Sequence, residues 1–96
     1  MALDSTSALI RYLETEFPGA RVRESTQEAE EWPLMRCFRV GDGRNTYLLI
    51  VASKLFATRS DHQMRDLLEA GEVAEYLFRA RGSPVLLTEN GLSVVE

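Results

Sequence analysis

The run Tyr47-Leu48-Leu49-Ile50-Val51-Ala52 is the stretch that most constrains how this chain can fold, because all six residues are apolar. It is far short of the roughly 20 residues a membrane helix needs, and its aromatic and β-branched content suits a strand. A strand that alternates apolar and polar residues can leave one face in water. This one cannot, since Leu48 and Ile50 lie on one side and Tyr47, Leu49 and Val51 on the other. The pattern predicts a central strand, or one covered on both faces. Leu34 to Val40 precedes it, and Gly41-Asp42-Gly43-Arg44 offers a glycine-rich turn able to take positive φ, so Leu34 to Val40 and Asn45 to Ala52 are predicted to form a hairpin.

The flanking segments supply the other elements. Leu9, Ile10, Leu13 and Phe17 recur at helical spacing over residues 5 to 17, with Asp4, Ser5 or Thr6 available as a cap and Pro18-Gly19 ending the helix. Ala20 to Glu24 alternates small or apolar with charged residues and reads as a short edge strand. Ser25 to Glu31 is polar and acidic without a usable period, a loop leading to Trp32-Pro33. Ser60 and Gln63 match a capping box, and Met64, Leu67, Leu68, Ala74, Leu77 and Phe78 continue a helical stripe to about Arg81. Gly71 interrupts that stripe at about 1 kcal/mol relative to alanine; one helix is expected, with two helices joined there as the alternative. Val85 to Thr88 and Leu92 to Val95 flank Asn90-Gly91 as a closing hairpin.

The order is thus α-β-β-β-α-β-β: a single α+β domain spanning residues 1–96, with a mostly antiparallel sheet and both helices packed on one face. The opposite sheet face then needs a cover. It is expected to carry either Met35, Cys37, Tyr47, Leu49 and Val51, or Leu34, Phe38, Leu48 and Ile50, and neither set is polar. An apolar face of that size is commonly closed by a second subunit, so a homodimer is expected. The alternative is that the last hairpin, or the acidic loop with Trp32, folds over it.

Charge and cysteine content narrow the setting. The net charge of −4 is uneven: residues 1 to 31 carry seven acids against three bases, residues 60 to 96 the same, and the middle holds Asp42 against Arg36, Arg39, Arg44, Lys54 and Arg59. The first residues lack the basic start and apolar core of a secretory signal, and Cys37 is the single cysteine, so no internal disulfide can form. A soluble cytoplasmic protein with no membrane association is expected.

No residue set points to catalysis, a cofactor or a metal. His62 is the only histidine, beside Asp61 at the start of a helix, so no histidine pair can hold a metal and a base role would rest on one exposed side chain. Cys37 lies within a strand, where a thiol is ordinary packing material; by the two-residue period Arg39 shares its side and Arg36 does not. Gly41-Asp42-Gly43 joins two strands rather than a strand and a helix, and no Lys-Ser or Lys-Thr follows, so it is a turn and not a phosphate loop.

Three families share parts of this layout. The order helix, three strands, helix, strand is similar to that of restriction-endonuclease-type nucleases, but Ala52-Ser53-Lys54 stands where their Glu-x-Lys belongs and residues 34 to 40 contain no acid. Helix, three strands, helix also resembles double-stranded RNA-binding domains. The second helix here carries Asp61, Asp66, Glu69, Glu72 and Glu75, which would repel a phosphate backbone, so nucleic acid is not the expected partner. Through residue 95 the order and acidity resemble class I chaperones of type III secretion, small dimeric cytosolic proteins with one further helix. That resemblance implies a protein-binding mode and no reaction.

The leading expectation is a non-catalytic protein-interaction module, a homodimer offering an apolar sheet face or a strand edge to a protein or peptide. Trp32, Met35, Tyr47, Leu49 and Val51 are its candidate interface residues. The rival is anion or nucleic-acid binding through Arg36, Arg39, Arg44, Lys54 and Arg59 on the central hairpin. A small hydrolase built around His62 is the third.

Overall fold

The computed structural model describes residues 5–26 and 30–95. Helix α1 (Thr6–Glu16) leads into β1 (Arg21–Ser25), then β2 (Met35–Gly41) and β3 (Thr46–Ala52). Three helices follow, α2 (Ser53–Thr58), α3 (Asp61–Ala70) and α4 (Val73–Ala80), and then β4 (Val85–Thr88) and β5 (Gly91–Val94). The five strands form one sheet in the order β1-β2-β3-β4-β5. Three of its junctions are antiparallel, and β3 pairs with β4 in parallel, Leu49 beside Val85 and Val51 beside Leu87. The expected α+β architecture and central β3 are found, with these four helices among the described residues rather than two.

Two of those helices arise where one was expected. Gly71 donates its N–H to the Leu67 carbonyl and Glu72 turns to a left-handed φ of 52°, so the chain changes direction between α3 and α4. A Cβ at Gly71 would sit 3.1 Å from the Leu67 carbonyl oxygen and 3.3 Å from Leu92 Cδ1, a tight fit that favours a small residue. The α4 amino terminus then lacks a cap from its own Glu72 side chain. Tyr12 of α1 supplies it: its hydroxyl accepts the Ala74 N–H at 3.1 Å in a buried site. Burial pushes the Tyr12 phenol up, against the lowering effect of that hydrogen bond, and Glu16, Glu69 and Glu72 push it further. The other additional helix, α2, follows β3 without a gap and buries Leu55 and Phe56.

Local signals in the sequence are realised closely. Ser60 and Gln63 form the reciprocal capping box at the start of α3. Ser5 is the α1 N-cap residue but makes no side-chain cap bond, and its hydroxyl is buried without a hydrogen-bond partner among the described residues; Asp4 lies outside the described residues. The β2–β3 loop is Asp42–Asn45, in which the Asp42 carboxylate accepts the backbone N–H groups of Asn45 and Arg44 at 2.7 and 2.9 Å. Those bonds hold its carboxyl below the usual carboxylate range. The last turn is Glu89-Asn90, one residue earlier than expected, with Gly91 already paired to Thr88. Of the acidic loop after β1, residues 27–29 lie outside the description.

The core sits between the helices and one sheet face. Phe38, Val40, Tyr47, Leu49, Val51, Val85 and Leu87 pack there against residues from every helix, including Leu9, Leu13, Phe56, Met64, Leu68 and Leu77. The register corrects both expected residue sets for the opposite face. Cys37 stands across from Ile50 and Phe38 across from Leu49, so Met35 and Cys37 share a face with Leu48 and Ile50, while Tyr47, Leu49 and Val51 point under the helices. On the face opposite α1–α4, called helix-free for the described helices, Cys37 and Ile50 are fully buried and Leu48 and Leu86 half-buried, so this is not the bare apolar sheet expected. The closing hairpin extends the sheet beside β3 rather than folding over it.

Tyr12→Phe leaves the buried Ala74 N–H without its acceptor and is expected to lower stability by about 1–3 kcal/mol in urea unfolding, with the secondary structure retained.

Candidate functional site

The parallel β3–β4 pair creates a cleft at the carboxyl ends of these strands, where β3 gives way to α2 and β4 to its turn. In open sheets this is the position at which connections diverge and leave a crevice. Here it is a groove of about 620 Å³, with Met35, Ala52 and Ala57 along its apolar lining and Lys54, Thr88 and Glu89 at its border. Lys54 on α2 is ion-paired with Glu89 of the β4–β5 turn across the mouth.

Leu34 also lines the groove. Its backbone takes a left-handed φ of 65°, and its side chain is 87% exposed. Left-handed backbone at a non-glycine residue costs roughly 1–2 kcal/mol, and a leucine in water forgoes about 1.5–3 kcal/mol of burial. Two hydrogen bonds hold this geometry: the Leu34 carbonyl accepts the Ser53 N–H at 3.0 Å, and the Trp32 carbonyl accepts the Met35 N–H at 3.1 Å. An exposed knob is thereby fixed beside a hollow.

The candidate interface residues divide between two places. Met35 lines this groove, and Trp32 is half-buried in the turn that precedes it. Tyr47, Leu49 and Val51 are buried in the core beneath the helices. Tyr47 also packs in an aromatic group with Phe17 at 5.1 Å and Phe78 at 5.6 Å, of which only Phe78, at 51%, is substantially exposed.

The five hairpin cations are dispersed rather than gathered. Arg36 lies on the helix side, where its guanidinium makes a two-pronged contact with Glu24 at 2.6 and 2.7 Å and sits 4.3 Å from the centre of the Phe56 ring. Arg39 is on the other face by register. Arg44 belongs to the Asp42–Asn45 loop, at the opposite end of the hairpin from Lys54, and Arg59 follows α2. Sequence reasoning passed over Arg21 and Arg23. They are exposed on β1, on the helix-free face, with Arg23 directly across from Arg39. Their alternation with Val22 and Glu24 was the signal, legible once the strand's register is known. Leu34 carried no comparable signal.

The two side chains with chemical potential are placed for other roles. Burial pushes the Cys37 thiol up, and the charges of Glu24 and Glu31 push it the same way, so it stays protonated and shielded. His62 borders a second groove, about 330 Å³ between α1 and α3, and pairs through Nε2 with Asp66 at 3.3 Å on its own exposed helix face. The nearby Thr15 hydroxyl donates to the Arg11 carbonyl, which commits it to its own helix. Among the described residues no group of three or more metal-ligating side chains converges, and no helix is long and apolar enough to cross a membrane.

No protein-family model, curated protein or solved structure matches the chain. Its reading therefore rests on the geometry above.

Arg36→Ala removes both the Glu24 contact and the stack on Phe56. It is expected to lower stability by about 1–2 kcal/mol in denaturant unfolding, and Arg36→Lys is expected to restore only part of that, because an ammonium cannot reproduce the planar fork.

Proposed function

We propose that this chain is a non-catalytic, cytoplasmic protein-interaction module that pairs with a second copy of itself through the groove between α2 and the ends of β3 and β4. The observation that carries the reading is Leu34, held left-handed and exposed beside an apolar hollow. A knob and a hole on the same patch are complementary to themselves under a twofold axis, so each copy can seat its Leu34 in the groove of the other. The charges support the same arrangement. Lys54 and Glu89 form an ion pair at the border, which gives the apolar patch a charged rim of no net sign.

Anion or nucleic-acid binding through the central hairpin has less support, because Arg36 and Lys54 are engaged with Glu24 and Glu89 and the five cations do not share one surface. A hydrolase at His62 has less still, since the imidazole meets a carboxylate of its own helix and no hydroxyl or thiol within reach is set to act as nucleophile.

The oligomeric state tests the proposal. One chain weighs 10.9 kDa, and light scattering after size exclusion at high micromolar concentration is expected to give twice that mass. Leu34→Glu is expected to give the mass of one chain with an unchanged circular dichroism spectrum, and Leu34→Ala to weaken association by about tenfold or more. A monomeric unaltered protein, or a Leu34→Glu variant that remains dimeric, overturns it.

A further inference from the structure

Among the described residues β1 is an outer strand and pairs on one side only, with β2. Its residues alternate strictly: Val22 and Glu24 point to the helix side, where Val22 packs against the core and Glu24 meets Arg36, while Arg21 and Arg23 point to the helix-free face. Arg23 stands directly across from Arg39 in the ladder. With Arg21 this makes three arginines on that face, and its strand positions hold no carboxylate, although the chain as a whole has a net charge of −4. Further in, the same face turns apolar at Leu48 and Ile50 of β3 and Leu86 of β4.

Charged side chains on an edge strand discourage indiscriminate pairing. Charges of one sign also select which strand is admitted. An added strand has the same two-residue period, so every second side chain would lie beside Arg21 and Arg23 and the others beside Val22. Carboxylates complement the first set and apolar groups the second. We infer that the open edge of β1 is a docking site for an extended segment of a partner protein that alternates acidic and apolar residues, added as a sixth strand with its carboxylates against Arg21 and Arg23. A nucleic acid is a poorer fit, because phosphate binding draws on many cations, whereas this basic patch is small, borders an apolar strip and belongs to a chain with acidic helices.

The inference deepens the interaction-module reading and rests on it, but it concerns a different surface from the Leu34 groove. Dimer mass and peptide capture are read separately, so either can fail while the other stands. The probe is a short fluorescent peptide alternating glutamate and valine, titrated against the whole chain by anisotropy. Controls are a lysine–valine alternation, a peptide of the same composition with its glutamates in one block, and single- and double-stranded DNA.

The glutamate–valine alternation is expected to bind, to lose about tenfold in affinity with Arg23→Glu, and to keep most of it with Arg23→Lys. Binding should persist in Leu34→Glu, and hydrogen exchange should slow at residues 21–25 when the peptide is present. Arg21 and Arg23 are exposed, so a thermal midpoint no lower than that of the unaltered protein certifies each variant. The inference is overturned by equal binding of either control peptide, by unaltered affinity in Arg23→Glu, or by protection confined to another strand. DNA binding that the same variant weakens would assign the surface to nucleic acid. A mass change in Arg23→Glu without any peptide binding would assign it to contact between copies.

Discussion

The parallel pairing of β3 with β4 is the constraint on which the rest of this structure depends. Parallel neighbours cannot be joined by a tight turn, so residues 53–84 must travel from the carboxyl end of β3 back to the amino end of β4. That return path supplies α2, α3 and α4, which together with α1 cover the core face of the sheet. It also produces the candidate groove, since α2 departs from β3 just where β4 ends and turns away. The Tyr12 hydroxyl ties the path down, joining the first helix to the amino end of α4 over a separation of 62 residues.

Much of the fold is legible in the sequence, because it is written in local chemistry. The hairpin, the central strand, the capping box and the exit at Pro18-Gly19 each rest on residues a few positions apart. What escaped was non-local. A parallel partner leaves no mark near β3, and α2 is too short to show a helical period. At the break Glu72 is left-handed, and Gly71 fits closely against Leu92, twenty-one residues away. The face assignment failed for a further reason: a shift of one residue in register exchanges the two faces, and register was set by the Asp42–Asn45 loop rather than by the strands themselves. Of the candidate site, Met35, Trp32 and Lys54 were within reach, while Leu34 owes its role to a backbone angle that its side chain does not announce.

Charge follows the same lesson. The basic middle of the sequence is not a basic region of the folded molecule, because Arg36 and Lys54 meet carboxylates from elsewhere in the chain. Acids gather instead on the helical side, where Glu16, Glu69, Glu72 and Glu75 border a shallow groove beside Phe78. Arginines gather on the sheet side, at β1 and β2. A charge distribution of this kind orients an approaching partner before contact is made.

Cys37 gives the molecule an internal clock. Its thiol lies at the centre of the sheet face, across from Ile50, with no solvent exposure and with its proton held tightly. A water-soluble thiol reagent can reach it only when that face opens locally, and no second cysteine competes for the label. The time course of modification in the unaltered protein therefore counts the openings of that face, one strand away from the edge and on the other side of the sheet from the core.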